Sequence, residues 1–197
     1  MGFNVQSETG RLRQVILHRP DLELKRLTPT NREELLFDDV LWVKRAREEH
    51  DAFADALRER GVVVHLFADL LRETLADVPA ARKLILDRVF DERAYGPLAA
   101  DELRILFDGF DPETLVRHLI GGITKREVLE RMKQPRSLVF HTMDLDDFVL
   151  VPVPNHLFTR DTSSWVYDGV AINAMQMPAR RRETVHFEAI YGYHPMF

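Results

Sequence analysis

The chain has 197 residues, 45% of them hydrophobic and 30% charged. That is a globular composition, long enough for one buried core and too apolar for a disordered chain. Acidic residues outnumber Lys and Arg by 32 to 27, for a net charge of −5, which argues against a general nucleic-acid or anionic-membrane surface and is compatible with a cationic ligand. Cysteine is absent, which excludes disulfides, thiolate metal sites and a cysteine nucleophile carried by this chain. No stretch approaches the ~18 apolar residues of a membrane span. Met1 to Gly10 lacks a basic region followed by an apolar one, so a soluble, cytoplasmic protein with no membrane partner is expected.

The first strand is predicted at Leu12 to His18, closed by Pro20, which lacks the N–H a central strand needs. Asp21 to Phe37 reads as a long polar connection, and long ordered loops tend to be functional. A helix is predicted from about Asp39 to Arg60, with Val43, Ala46, Phe53 and Leu57 on one face, Asp38 or Asp39 as its cap and Gly61 as its stop. The β-branched run Val62-Val63-Val64 with Leu66 then completes a strand–helix–strand unit.

From about 70 to 144 the pattern turns helical, with four or five short helices and no strand between them. Leu84, Ile85, Leu86, Val89 and Phe90 form one apolar face, and Ala99 to Phe107 form a helix after Pro97. Asp111-Pro112 reads as an N-cap with proline in the first turn, and Gly121-Gly122 as a stop. Thr124 with Glu127 reads as a capping box opening Lys125 to Met132, and Pro135 closes the segment. Strand character returns at Phe148 to Pro154. Ser164–Tyr167 and Val170–Asn173 are predicted to form a hairpin about Asp168-Gly169, and Glu183 to Tyr191 has a weak helical pattern.

The eight histidines show no metal-ligand spacing, and no glycine-rich phosphate loop is present. His65, in an apolar strand, reads as a satisfied half-buried residue. The richest stretch is Asn155-His156-Leu157-Phe158-Thr159-Arg160-Asp161-Thr162, which mixes an amide, an aromatic ring, a cation and an anion. A guanidinium ligand needs such a set, because its five N–H donors demand acceptors and an aromatic face can cover its plane. Arg160 and Asp161 could equally serve unrelated surface ion pairs. Arg180-Arg181-Arg182 could bind a carboxylate or simply form a solvated helix start. Glu34 to Asp39 could be a functional loop or a hydrophobic anchor with a cap.

Taken together, these residues resemble the arginine deiminase family. The matching stretches are Leu27-Thr28-Pro29, Glu34 to Val43, Phe158-Thr159-Arg160-Asp161 with Trp165, and Pro178-Ala179-Arg180-Arg181 with Glu183-Thr184. Their order and spacing extend the resemblance over the whole chain. It implies an α/β fold, a partial pentein-type propeller of ββαβ modules. Residues 1–69 and 145–197 would form its catalytic part and 70–144 an all-helical insertion. It implies hydrolysis of the guanidinium of free L-arginine to L-citrulline and ammonia, without cofactor or metal.

Residue by residue, the resemblance makes Asp161 a carboxylate that grips the guanidinium and Phe158 part of the wall over it. Asn155 would hydrogen-bond the amino-acid end, and Arg180 would pair with the α-carboxylate. Leu36 would close over the substrate. The family's nucleophile is a cysteine, and its Glu and His-x-Asp groups cannot be placed here. The chain is therefore expected to be an N-terminal half, inactive alone and seeking a copy of itself or the missing half as partner. Two alternatives remain at this stage: a non-catalytic binding or assembly fragment, and another guanidino-modifying pentein such as an amidinotransferase.

Overall fold

In the computed structural model, which describes residues 3–132 and 137–197, β1 (Gln14–Leu17) pairs in parallel with β2 (Val63–Leu66). Gln14 lies opposite Val63 and Leu17 opposite Leu66. The crossover between them is α2 (Val43–Arg58), so the expected strand–helix–strand unit forms. Gly61, with φ +76°, follows the helix as expected. Its start differs from expectation. Trp42, not Asp38 or Asp39, precedes the first helical residue, and the Asp39 carboxylate is turned onto the Val40 N–H. On the predicted face Val43 is buried, whereas Phe53 is exposed.

The polar stretch before α2 is more ordered than a plain connection. It begins with α1 (Leu22–Lys25) and continues as tight turns, Leu35 N–H donating to Asn31 O and Phe37 N–H to Arg32 O. Leu24, Leu27 and Leu35 bury themselves with Val43 in a small apolar cluster, which anchors the loop from within.

Seven helices follow among the described residues: α3 (Phe67–Asp77), α4 (Pro79–Val89), α5 (Glu92–Tyr95), α6 (Pro97–Asp108), α7 (Pro112–Gly121), α8 (Lys125–Arg131) and α9 (Leu138–Thr142). The expectation of four or five with no strand between them is corrected here. A two-residue strand, β3 (Ile123–Thr124), sits between α7 and α8 and pairs antiparallel with β4 (Phe148–Leu150). That pairing is invisible to local pattern because its partner lies some two dozen residues away. The capping signals hold: Asp111 accepts from Glu113 and Thr114 N–H, Pro112 occupies the first turn, and Thr124 with Glu127 closes a full capping box. Pro135 lies outside the described residues.

Gly122 deserves a test because it is irreplaceable on two counts. Its φ is +76°, and a Cβ there would stand 2.4 Å from Leu150 O and 2.8 Å from Pro152 N. Neither atom is a flexible side chain. Gly122→Ala is expected to destabilise the fold by about 2–4 kcal/mol, read as a shift in the urea midpoint.

β4 is shorter than the predicted Phe148–Pro154, because Pro152 and Pro154 interrupt the extended run. A 3-10 turn at Pro154–Leu157 leads into α10 (Thr159–Thr162). The hairpin then forms from β5 (Ser163–Val166) and β6 (Gly169–Ile172), one residue out of the expected position. Val166 pairs with Gly169, so Tyr167 and Asp168 make the turn, and Tyr167 takes the positive φ (53°) of a II′-type turn. Tyr167 also exchanges both backbone hydrogen bonds with Val5. After a 3-10 turn at Pro178–Arg180, α11 (Arg181–Tyr193) ends the chain's regular structure.

The class is mixed α/β. One continuous core runs from Phe67, Leu71 and Ile85 through Leu103, Phe107 and Leu119 to Phe187 and Ile190. Residues of α11 thus share a core with the helices between β2 and β4, and α11 packs directly on α3 and α4. Among the described residues no helix is long and apolar enough to cross a membrane.

Candidate functional site

Three short elements meet at the N-terminal end of α11. Pro154 opens the 3-10 turn that carries Asn155, because its fixed φ suits a turn. Phe158 follows, and the single turn of α10 then presents Asp161. Two contacts pin that turn. Thr159 Oγ1 donates to Ile16 O of β1 at 3.0 Å, and Asn173 beyond β6 donates through Nδ2 to Asp161 O at 2.9 Å.

Arg180 ties these elements together. Its Nη1 donates to Asp161 Oδ2 at 2.6 Å. Its Nη2 reaches Asn155 O at 3.3 Å and Phe158 O at 3.4 Å. Its Cζ lies 6.0 Å from the centroid of the Phe158 ring. On the other side, Nε and Nη2 donate to the Glu183 carboxylate at 3.0 and 2.9 Å. Glu183 is fully buried and also accepts from Thr162 Oγ1 at 3.3 Å. Burial works against the Arg180 charge, but hydrogen bonds to Glu183 and Asp161 outweigh it and raise its pKa.

Four of the five residues singled out in the sequence are therefore in one group. Asp161 is about half exposed, Phe158 is exposed, and Arg180 is nearly covered. Asn155 is buried, and its Nδ2 donates to Leu35 O at 2.7 Å, across 120 residues of sequence. That bond attaches the loop bearing Leu36 to the same turn. Leu36 itself is exposed and holds φ at +63°, a strained conformation for a leucine.

Arg160, adjacent to Asp161 in sequence, points elsewhere and pairs with Glu8 on the surface. His65 is half-buried, its Nε2 3.0 Å from Gln14 Oε1, as read from the sequence. Glu183 was quoted in the sequence without a role. The Arg-x-x-Glu spacing at a helix start was the signal that could have found it, since residues three apart face each other. Glu183→Ala removes the buried partner of Arg180 and is expected to cost about 2–4 kcal/mol of stability by chemical denaturation.

Behind the group lies a buried histidine cluster. His156 Nε2 and His186 Nδ1 are 2.8 Å apart, and the two rings stack at 5.0 Å. Phe67 covers His156 at 4.4 Å, and His18, itself hydrogen-bonded to buried Glu23, lies 5.6 Å from it. Burial, reinforced by the positive charge of Arg182, pushes both His156 and His186 well below the ordinary histidine range. Among the described residues no group of three His, Cys, Asp or Glu could hold a metal ion.

Chemically, the group is a carboxylate with a guanidinium lying on it beside an aromatic ring, linked to a strained loop. It can accept a planar cation, and Arg180 supplies one. A family model described as arginine deiminase matches residues 33–197, a span that includes Leu36, Asn155, Phe158, Asp161, Arg180 and Glu183. The chain belongs to the arginine deiminase family.

Proposed function

We propose that the chain is the N-terminal portion of an arginine deiminase that hydrolyses L-arginine to L-citrulline and ammonia. The observation that carries this reading is the Arg180 guanidinium bound 2.6 Å from Asp161 inside a segment matched by the family. This contact supports the reading because Asp161 already holds a guanidinium, the group that the substrate carries. In this reading the substrate's head group replaces Arg180 Nη1 on Asp161. Glu183 keeps hold of Arg180, whose freed nitrogen turns to the α-carboxylate. Phe158 forms part of the wall, Asn155 lies at the amino-acid end, and the Leu36 side chain closes over the substrate to exclude water.

The chain contains no cysteine, so the nucleophile belongs to a partner segment or polypeptide outside these residues. Its thiolate would add to the guanidinium carbon, with ammonia leaving to give an amidino thioester-like intermediate. Water would then add to the same carbon and release the thiolate, so that arginine and water become citrulline and ammonia. The fold that goes with this reading is a partial pentein propeller, with 70–144 as an insertion.

The test is calorimetry and product analysis on the purified 197-residue chain. L-Arginine is expected to bind saturably to the wild type and not to Asp161→Ala, and no citrulline is expected to form. Citrulline release by material free of any second polypeptide would overturn the external nucleophile. Equal arginine binding by both proteins would overturn the role of Asp161.

A further inference from the structure

Next to the Asp161 group lies a second cleft of about 520 Å³, walled chiefly by apolar side chains from the Leu36 loop, the segment after β4 and the turn before α11. Its volume falls in the range of small-molecule sites. Three charged side chains stand in that wall, Arg182, Glu33 and Glu34.

The three adjacent arginines have different fates. Arg180 is neutralised by Asp161 and Glu183, and Arg181 is exposed. Arg182 is partly buried. Its Nη2 donates to the Val151 carbonyl, and its Nε is shielded from solvent with no hydrogen-bond partner. Among the described residues no carboxylate lies within ion-pairing distance of it. Burial brings its pKa down to about 10, so it stays charged at neutral pH. The Glu183 charge supports Arg182 only at a distance, and no carboxylate touches it, so an incoming anion would improve the arrangement. The same cleft is bordered by Glu33 and Glu34, both exposed. Two carboxylates at the rim disfavour a phosphate or any other multiply charged anion. They favour a ligand that brings a positive charge along with its negative one.

We propose that this cleft binds an aliphatic α-amino acid. Its carboxylate rests on Arg182, its ammonium lies by Glu33 and Glu34, and its side chain runs along Val151 and Met177. The site is distinct from the Asp161 group and does not depend on the deiminase reading.

The test is calorimetric titration of the 197-residue chain with L-norleucine, n-pentylamine and hexanoate. Norleucine is expected to bind saturably, pentylamine not at all and hexanoate more weakly than norleucine. Arg182→Gln is expected to weaken norleucine by about tenfold or more, the scale of a lost charge-assisted contact. Asp161→Asn is expected to leave norleucine binding unchanged. Absence of saturable norleucine binding overturns the proposal, as does pentylamine binding equally well. Hexanoate binding as tightly as norleucine overturns the assignment to a zwitterion. Equal loss in Asp161→Asn and Arg182→Gln assigns the ligand to the Asp161 group instead, which overturns the separate cleft. If Arg182→Gln does not fold by circular dichroism, Met177→Trp takes its place. Its ring is expected to fill the cleft and abolish binding, and undiminished binding overturns the proposal.

Discussion

Asp161→Ala is expected to abolish turnover in an enzyme assembled from this chain and the part that brings the cysteine. The loss is expected to be at least about 10³-fold in kcat, on the scale of removing one preorganised electrostatic partner of the transition state, or roughly 4 kcal/mol. The fold should survive. Asp161 is half exposed, and Arg180 retains its buried partner Glu183 when Asp161 is removed. The change in stability is therefore expected to stay within about 1 kcal/mol, the range of an exposed ion pair. Asp161→Asn keeps the shape and removes the charge, and should be nearly as inactive if charge is what matters. Steady-state kinetics alongside a denaturation curve separates the two effects. Wild-type kcat in either variant would dismiss Asp161 as a substrate group.

Acid should unfold the chain earlier than its carboxylates alone would dictate. His156 and His186 are buried, hydrogen-bonded to each other and held neutral. Their folded pKa values are depressed, so below the unfolded value of about 6.5 the unfolded chain takes up protons that the folded chain refuses. Stability is then present above about pH 6.5 and lost as pH falls below it, by up to roughly 1.4 kcal/mol per pH unit for each histidine. Glu23 adds to the loss at lower pH: burial pushes its carboxyl up, but hydrogen bonds from His18 and the Asp21 N–H bring it below its ordinary range. Urea midpoints between pH 7.5 and 5.5 check the slope. His186→Gln is expected to reduce it by about half, and a flat profile in the wild type would contradict neutral burial of the pair.

The parts of the fold legible in the sequence obey local rules. Asp111-Pro112, the Thr124–Glu127 box and Gly61 each act through bonds to residues within one turn, so their type and spacing sufficed. The misses are non-local. The β3–β4 pairing joins residues far apart in sequence, and Tyr167, at the shifted hairpin turn, bridges to Val5, which is also distant in sequence. Phe53 has the right residue type and roughly the right phase for the core, yet it is left more than half exposed.

At the site, the resemblance picked out Asp161, Asn155, Phe158 and Arg180. The composition of the stretch, however, could not distinguish a binding set from surface ion pairs. The Arg160 pair with Glu8 is such a surface pair, one residue away from Asp161. The three-residue spacing of Arg180 and Glu183 was legible, but sequence could not reveal that Arg180 also reaches Asp161, because that contact spans 19 residues. Nor could it say which of three consecutive arginines would stand half-buried against the Val151 carbonyl without an ion pair, since that depends on how the chain folds around it.

The hydrogen bond from Asn155 to the Leu35 carbonyl bears on how quickly a ligand can be captured. A free strand of polypeptide over a binding group must be immobilised at every encounter, and that ordering opposes association. Here the immobilisation is completed during folding, by a buried amide bond and an interior leucine. An arriving molecule meets a rim whose backbone is already set, and only the outward tip of Leu36 is left to adjust.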